Sequence, residues 1–118
     1  MTETQSKLRF TEVVETEWQN HPRFSGILMQ KLLTTADTPF ASTNRVRVPP
    51  GGVIGLHIHD HQVEMVYVLS GKAGLLVFGE ELPFEAGQMV AIPVGREHSL
   101  INRCSDNVEL LTIFTPPQ

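Results

Sequence analysis

The sequence predicts an all-β fold. Three observations carry that expectation: many short apolar runs, turn residues at close intervals between them, and no stretch with a clear helical period. Chains patterned in this way fold as antiparallel sandwiches or barrels. At 118 residues a single domain is expected, since domains usually run to roughly 100–200 residues. Apolar residues make up 41% of the chain, enough for a compact core.

Residues 1–7 are polar and have nothing to bury, so a disordered tail is expected there, with one barrel domain over residues 8–118. Residues 8–18, LRFTEVVETEW, fit either a strand or a short acidic helix, and an edge strand is the preferred reading. His21, Pro22 and Arg23 mark a turn. Residues 24–34, FSGILMQKLLT, are apolar and free of proline, and the period alone does not separate helix from buried strand. The next patterned segment favours the strand: in TNRVRV, Val46 and Val48 share one face while Arg45 and Arg47 share the other. An outward solvated face suits the two arginines better than an anion site at a barrel mouth.

Pro49, Pro50, Gly51 and Gly52 end that strand, because proline lacks the ladder donor and glycine accepts turn dihedrals. Short strands are then expected over residues 53–59, 63–69, 73–78, 82–85, 88–92, 98–102 and 108–115. Glu80 and Glu81 read as part of a surface hairpin turn.

Two stretches concentrate the chemistry. In GGVIGLHIHDHQVEMVYVLSG, His57 and His59 stand two apart and would share a strand face. Glu64 opens the next run in phase with Val66 and Val68, and a carboxylate aligned with buried valines needs a partner or a metal. In GQMVAIPVGREHSLIN, His98 begins a strand with Leu100 and Asn102 on its face. A small closed barrel can bring His98 opposite the first three, so that three imidazoles and one carboxylate surround one point.

These stretches resemble the two motifs of the cupin superfamily. Gly51, His57, His59, Glu64 and Gly71 fall at the spacings of the first motif, and Gly87, Pro93, Gly95, His98 and Asn102 at those of the second. The short gap between them, residues 72–86, is similar to that of small single-domain cupins of the conserved-barrel type. The resemblance implies an antiparallel β-barrel of the double-stranded β-helix, or jelly-roll, type. It also implies one divalent transition metal per chain, five- or six-coordinate, held by His57, His59, Glu64 and His98. Manganese or iron is favoured, and nickel, cobalt, copper and zinc are compatible with mixed nitrogen and oxygen ligation. A homodimer is implied as well, with residues 8–18 and 24–34 as its expected interface.

From alternation alone, Val66, Val68 and Leu100 are expected to line a small, partly apolar substrate pocket. Glu64 and His61 are the candidates for acid/base work, although His61 suits a solvated loop better. The glycines and Pro93 of the motifs serve backbone geometry, and Asn102 a structural role.

Nine basic residues are scattered and the net charge is −4, which argues against nucleic acid as a partner. No apolar run reaches the roughly 18 residues that would span a membrane. The single cysteine, Cys104, precludes an internal disulfide and fits a reducing, cytoplasmic setting. The expected function is that of a small metalloenzyme acting on a small organic substrate, with oxygenase chemistry favoured. A non-catalytic binding or sensor protein is the alternative, and a metal-dependent isomerase or lyase a further one.

Overall fold

Strands form where apolar residues alternate with polar ones, and proline or glycine marks several of the places where the chain changes sheet. The computed structural model describes residues 8–118, so the tail expected at residues 1–7 lies outside the described residues. In order come β1 (Gln19–Asn20), β2 (Leu28–Leu33), β3 (Ser42–Val48), β4 (Val53–His57), β5 (Val63–Ser70), β6 (Lys72–Val77), β7 (Glu80–Glu85), β8 (Met89–Ile92), β9 (His98–Ile101) and β10 (Val108–Thr115). The only helical element among the described residues is a single 3-10 turn, Val13–Glu15.

All strand pairings are antiparallel and make two sheets, β1-β2-β3-β10-β5-β8 and β4-β9-β6-β7. The expected closed barrel is therefore corrected to an open sandwich with a jelly-roll path. Closure fails at the corners, where Pro49 and Pro50 carry the chain from β3 to β4 and Pro93 carries it from β8 to β9. Proline has no N–H with which to continue a ladder around the bend. The β5 to β6 corner turns on Gly71, whose φ of +90° suits glycine. A Cβ there would meet the Asn107 carbonyl oxygen at 2.7 Å.

The core lies between the sheets. Along β3, Ser42, Asn44, Val46 and Val48 are buried, and along β5 Glu64, Val66 and Val68 are buried, while their neighbours are less so. Ile27, Val48, Val68, Val108 and Leu110 sit at its centre with Leu75, Phe84 and Leu100 from the second sheet. The two-residue turn between β6 and β7 is made by Phe78 and Gly79, both at positive φ, as type I′ hairpins require. Glu80 and Glu81 are paired strand residues rather than turn residues.

Residues 8–18 are the largest departure from expectation. They form no strand, and the edge of the six-stranded sheet is the two-residue β1. Leu8, Phe10 and Val14 are exposed, so the segment has no buried face to hold it in a ladder. Side chains tie it down instead. The Gln30 amide donates to the Val13 and Thr16 carbonyls, the Thr11 hydroxyl to the Leu32 carbonyl, and Arg9 pairs with Asp37. Trp18 lies beneath the Arg47 guanidinium at 4.1 Å, and Arg47 also bonds Glu109 at 2.6 Å. The two arginines of β3 thus face outward, half-buried and engaged by the protein itself rather than free in solvent.

Asn102 shows how tightly one corner is specified. It is fully buried; its side-chain amide donates to the Val48 and Asp106 carbonyls and its side-chain oxygen accepts from the Cys104 N–H. Its backbone also exchanges hydrogen bonds with Gly51 and Gly52. Asn102→Ala removes three hydrogen bonds, one of them to the buried Val48 carbonyl, and is expected to lower stability by about 1–3 kcal/mol. Urea denaturation would show this as a shifted midpoint at an unchanged slope, and Asn102→Asp, which sets oxygen against two carbonyls, should not restore it.

Candidate metal centre

Each of the four expected ligands is placed by a different local device. His57 ends β4, where a register shift after Ile54 leaves it opposite His98 of β9. His59 was expected on that strand but lies beyond its end, its carbonyl accepting from the Gly95 N–H at 2.9 Å. Glu64 is carried by the inner face of β5 in the other sheet. The two sheets therefore meet chemically at one place. Possible ligand atoms of His57, His59, Glu64 and His98 all lie within 4.8 Å of one another.

Two of the imidazoles are aimed by their own backbone. His57 Nδ1 donates to the Gly55 carbonyl at 2.7 Å and His98 Nδ1 to the Arg96 carbonyl at 2.9 Å, which leaves both Nε2 atoms toward the cluster. The Gln118 amide lies 3.4 Å from His59 Nδ1. His98 Nε2 donates to Glu64 Oε1 at 2.9 Å. His59 Nε2 stands 3.4 Å from the same oxygen, is buried and makes no hydrogen bond.

That orphaned nitrogen is the test of whether a metal fits. A buried polar atom without a partner is costly, and a cation held by three imidazole nitrogens and a carboxylate oxygen would satisfy it. The donor set suits a first-row divalent metal. The residues present therefore fit one ion, which the three histidines and one glutamate of the cluster can hold together.

The cluster's electrostatics arise from burial and neighbours. Burial pushes the Glu64 carboxyl up, but the His59 and His98 imidazoles beside it outweigh that and hold it at about 2. Burial also works to lower His98, yet the Glu64 carboxylate and the Arg96 carbonyl raise it above the usual histidine value. His57 is lowered, chiefly by burial. Without metal the site thus sets an ionised carboxylate beside His98, whose protonated form that carboxylate favours.

A cavity of about 70 Å³ opens onto the cluster between the sheets. Val66 and Leu100 line it. Val68, two residues further along β5, is fully buried in the core and is not among the lining residues. His61 is exposed and stands apart from the cluster. The loop between β1 and β2 was unforeseen here, yet it contributes His21, Arg23 and Phe24 to the lining. The Phe24 ring packs on His57 at 5.3 Å and on His21 at 4.9 Å. Nothing in the local pattern of His21, Pro22 and Arg23 connects that turn to the motifs, because the contact is purely tertiary.

With this geometry in hand, comparison with known proteins is decisive for family. The cupin domain family matches residues 44–114. The chain is a cupin. An oxalate-binding protein of Thermotoga maritima is 32% identical over 70 residues, 59% of this cupin and 58% of that protein. A mannose-1-phosphate guanylyltransferase of Klebsiella pneumoniae is 36% identical over 76 residues, 64% of this chain but 16% of that protein. The chain thus spans well under two thirds of the length of these curated relatives. Among solved structures, a predicted oxalate decarboxylase of Thermotoga maritima superposes with a TM-score of 0.82 at 24% identity, covering 92% of this chain and 99% of that one, which shows a shared fold.

The pKa directions predict how acidity acts on stability. Glu64 is depressed, so its contribution is full above its ordinary 4.5 and is lost as pH falls toward about 2. His98 is raised, so its contribution is full below 6.5 and is lost as pH climbs past it. His57 is lowered and acts oppositely, costing stability as pH falls below 6.5. The metal-free protein should therefore be most stable near 6.5. Metal needs all three imidazoles neutral, so the melting-temperature gain on adding Mn²⁺ should widen between about pH 6 and 8. Calorimetric scans with and without Mn²⁺ at each pH would check this, and elemental analysis should find the metal content of His57→Ala reduced.

Proposed function

We propose that this cupin holds one divalent transition metal on His57, His59, Glu64 and His98 and uses that centre to bind a small carboxylate-bearing molecule. The observation that carries the reading is the match of charge to size. One carboxylate among four ligands leaves a divalent ion with net positive charge, in a cavity whose other walls are mostly apolar. On a scale where a water occupies about 10–15 Å³, a space of about 70 Å³ takes a molecule of only a few non-hydrogen atoms. A compact anion with oxygen donors answers both conditions. The oxalate-binding relative supports the same chemistry. Manganese or iron suits a centre that keeps positions open beyond its four protein ligands.

Bound there, the cation would supply Lewis acidity toward the ligand's oxygens. The protein's share is positioning and exclusion of water. Phe24 covers one face of His57, Phe114 packs on His59 at 5.0 Å, and Val66, Ile92 and Leu100 keep the walls dry. A dry surround strengthens every charge interaction inside it. Glu64, held ionised at about 2, is poorly matched to a base working near neutral pH, and His61 lies outside the cavity. Binding is therefore the primary reading. Oxygenase, isomerase or lyase chemistry would each begin from the same complex. The oxalate-binding and guanylyltransferase relatives lend oxygenase chemistry no support.

Titration calorimetry of the Mn²⁺-loaded protein with oxalate, glycolate and formate tests the proposal. Saturable binding is expected, weakened at least about tenfold in the metal-free protein. Failure of all three to bind would overturn it, and oxygen uptake in a parallel electrode assay would put the oxygenase reading in its place. Self-association belongs to the same proposal. Exposed Leu8, Phe10 and Val14 on the segment before β1 support pairing of two chains there. Elution at about twice 13.2 kDa from a sizing column is the expected result.

A further inference from the structure

Among the described residues, Arg23 is the only arginine or lysine lining the cavity. It makes no salt bridge with any described residue, although the other arginines near the core, Arg45 and Arg47, are both committed to Glu109. Its position is built rather than incidental. The Arg23 N–H donates to His21 Nδ1 at 3.1 Å, the His21 N–H to the Ile27 carbonyl at 2.8 Å, and the Ile27 N–H to the Phe24 carbonyl at 3.3 Å. Gly26, at a φ of +78°, closes the turn. Phe24, next in the chain, is wedged against His57, and the Arg23 guanidinium sits 5.4 Å from its ring centroid. An exposed cation is thus carried on the lining of the same cavity that holds the metal-competent cluster.

We infer that Arg23 reads a second anionic group on the ligand, so that the cavity selects small dianions over monoanions. The inference rests on the carboxylate reading of the metal centre. A ligand with one charge satisfies the metal centre and leaves the Arg23 cation solvated, whereas a compact dianion meets both. A guanidinium suits the task because its planar fork matches a carboxylate edge. Glu64 is the only acidic side chain among the described residues that line the cavity and is engaged by His98, so no side chain of that lining competes for the Arg23 charge.

The test compares Mn²⁺-loaded wild type with Arg23→Met and Arg23→Lys, titrated with oxalate and malonate as dianions and with formate and acetate as monoanions. Metal content and melting temperature are measured for each variant. Arg23→Met is expected to lose roughly 10- to 100-fold in affinity for the dianions and less than about threefold for the monoanions. Arg23→Lys, which keeps the charge without the fork, should fall between. Equal losses for both classes, or no loss in Arg23→Met, overturns the inference while leaving the carboxylate reading intact. Wild type that binds neither class overturns both.

Discussion

Everything in this molecule answers to one carboxylate. Glu64 stands on the inner face of β5 between hydrophobic layers, where an ionised group without compensation is not tolerated. Its compensation comes from the other sheet, through the His98 imidazole at 2.9 Å. The hydrophobic effect brings the sheets together, but it is indifferent to register. The buried charge is not, because a slip of one residue along β5 would turn Glu64 outward with Val66 and Val68. The polar cluster therefore supplies the specificity that the apolar core lacks, and it does so with the groups that can take a metal.

That demand explains the jelly-roll path. After β3 the chain passes to the second sheet for β4 and returns for β5, then crosses again around β8, so that His57, Glu64 and His98 arrive from alternate sheets at one end of the sandwich. Each crossing needs a corner; proline or glycine marks those after β3, β5, β7 and β8, whereas residues 58–62 and 102–107 cross without either. Asn102 fastens one of them from inside, tying the end of β9 to the end of β3 through Val48 and to the end of the turn into β10 through Asp106. Motif residues with no ligand role are in this sense part of the site, for they hold the distance between its halves.

Much of this was legible in the sequence where one residue's environment is set by its immediate neighbours. The alternation in TNRVRV located β3 and its faces, residues 108–115 were read as the strand they form, and the misfit of Glu64 among valines pointed to its role. Spacing paired His57 with His59, and the resemblance to the cupin motifs grouped His98 with them and with Glu64. The failures have one physical origin. Residues 8–18 carry apolar side chains at intervals that suit a strand, but Gln30 and Thr11 bind their backbone and partners in ways no local pattern displays. Val68 shares the face of Val66 yet is not among the lining residues, because alternation gives direction and not depth. The β1–β2 loop enters the site only through packing of Phe24 on His57, far away in sequence.

The three imidazoles are not equivalent, and the difference bears on how such a centre works. His57 and His98 each donate to the carbonyl two residues earlier, so each ring is oriented by a short closed loop of its own backbone. Such loops are insensitive to what surrounds them, and two ligands stay aimed even as the cavity lining changes. His59 has no loop of this kind. It lies past the end of β4, its main-chain carbonyl is held by Gly95, and its ring contacts Phe114 and the Gln118 amide. The adaptable ligand is thus the one whose Nε2 is left without a hydrogen bond. Two rigid donors and a fixed carboxylate define where an ion can sit, and the third imidazole can adjust to the ion's preferred geometry. A centre divided in this way fixes position strictly and coordination loosely, which is why its donor chemistry admits several metals while its place in the fold admits only one.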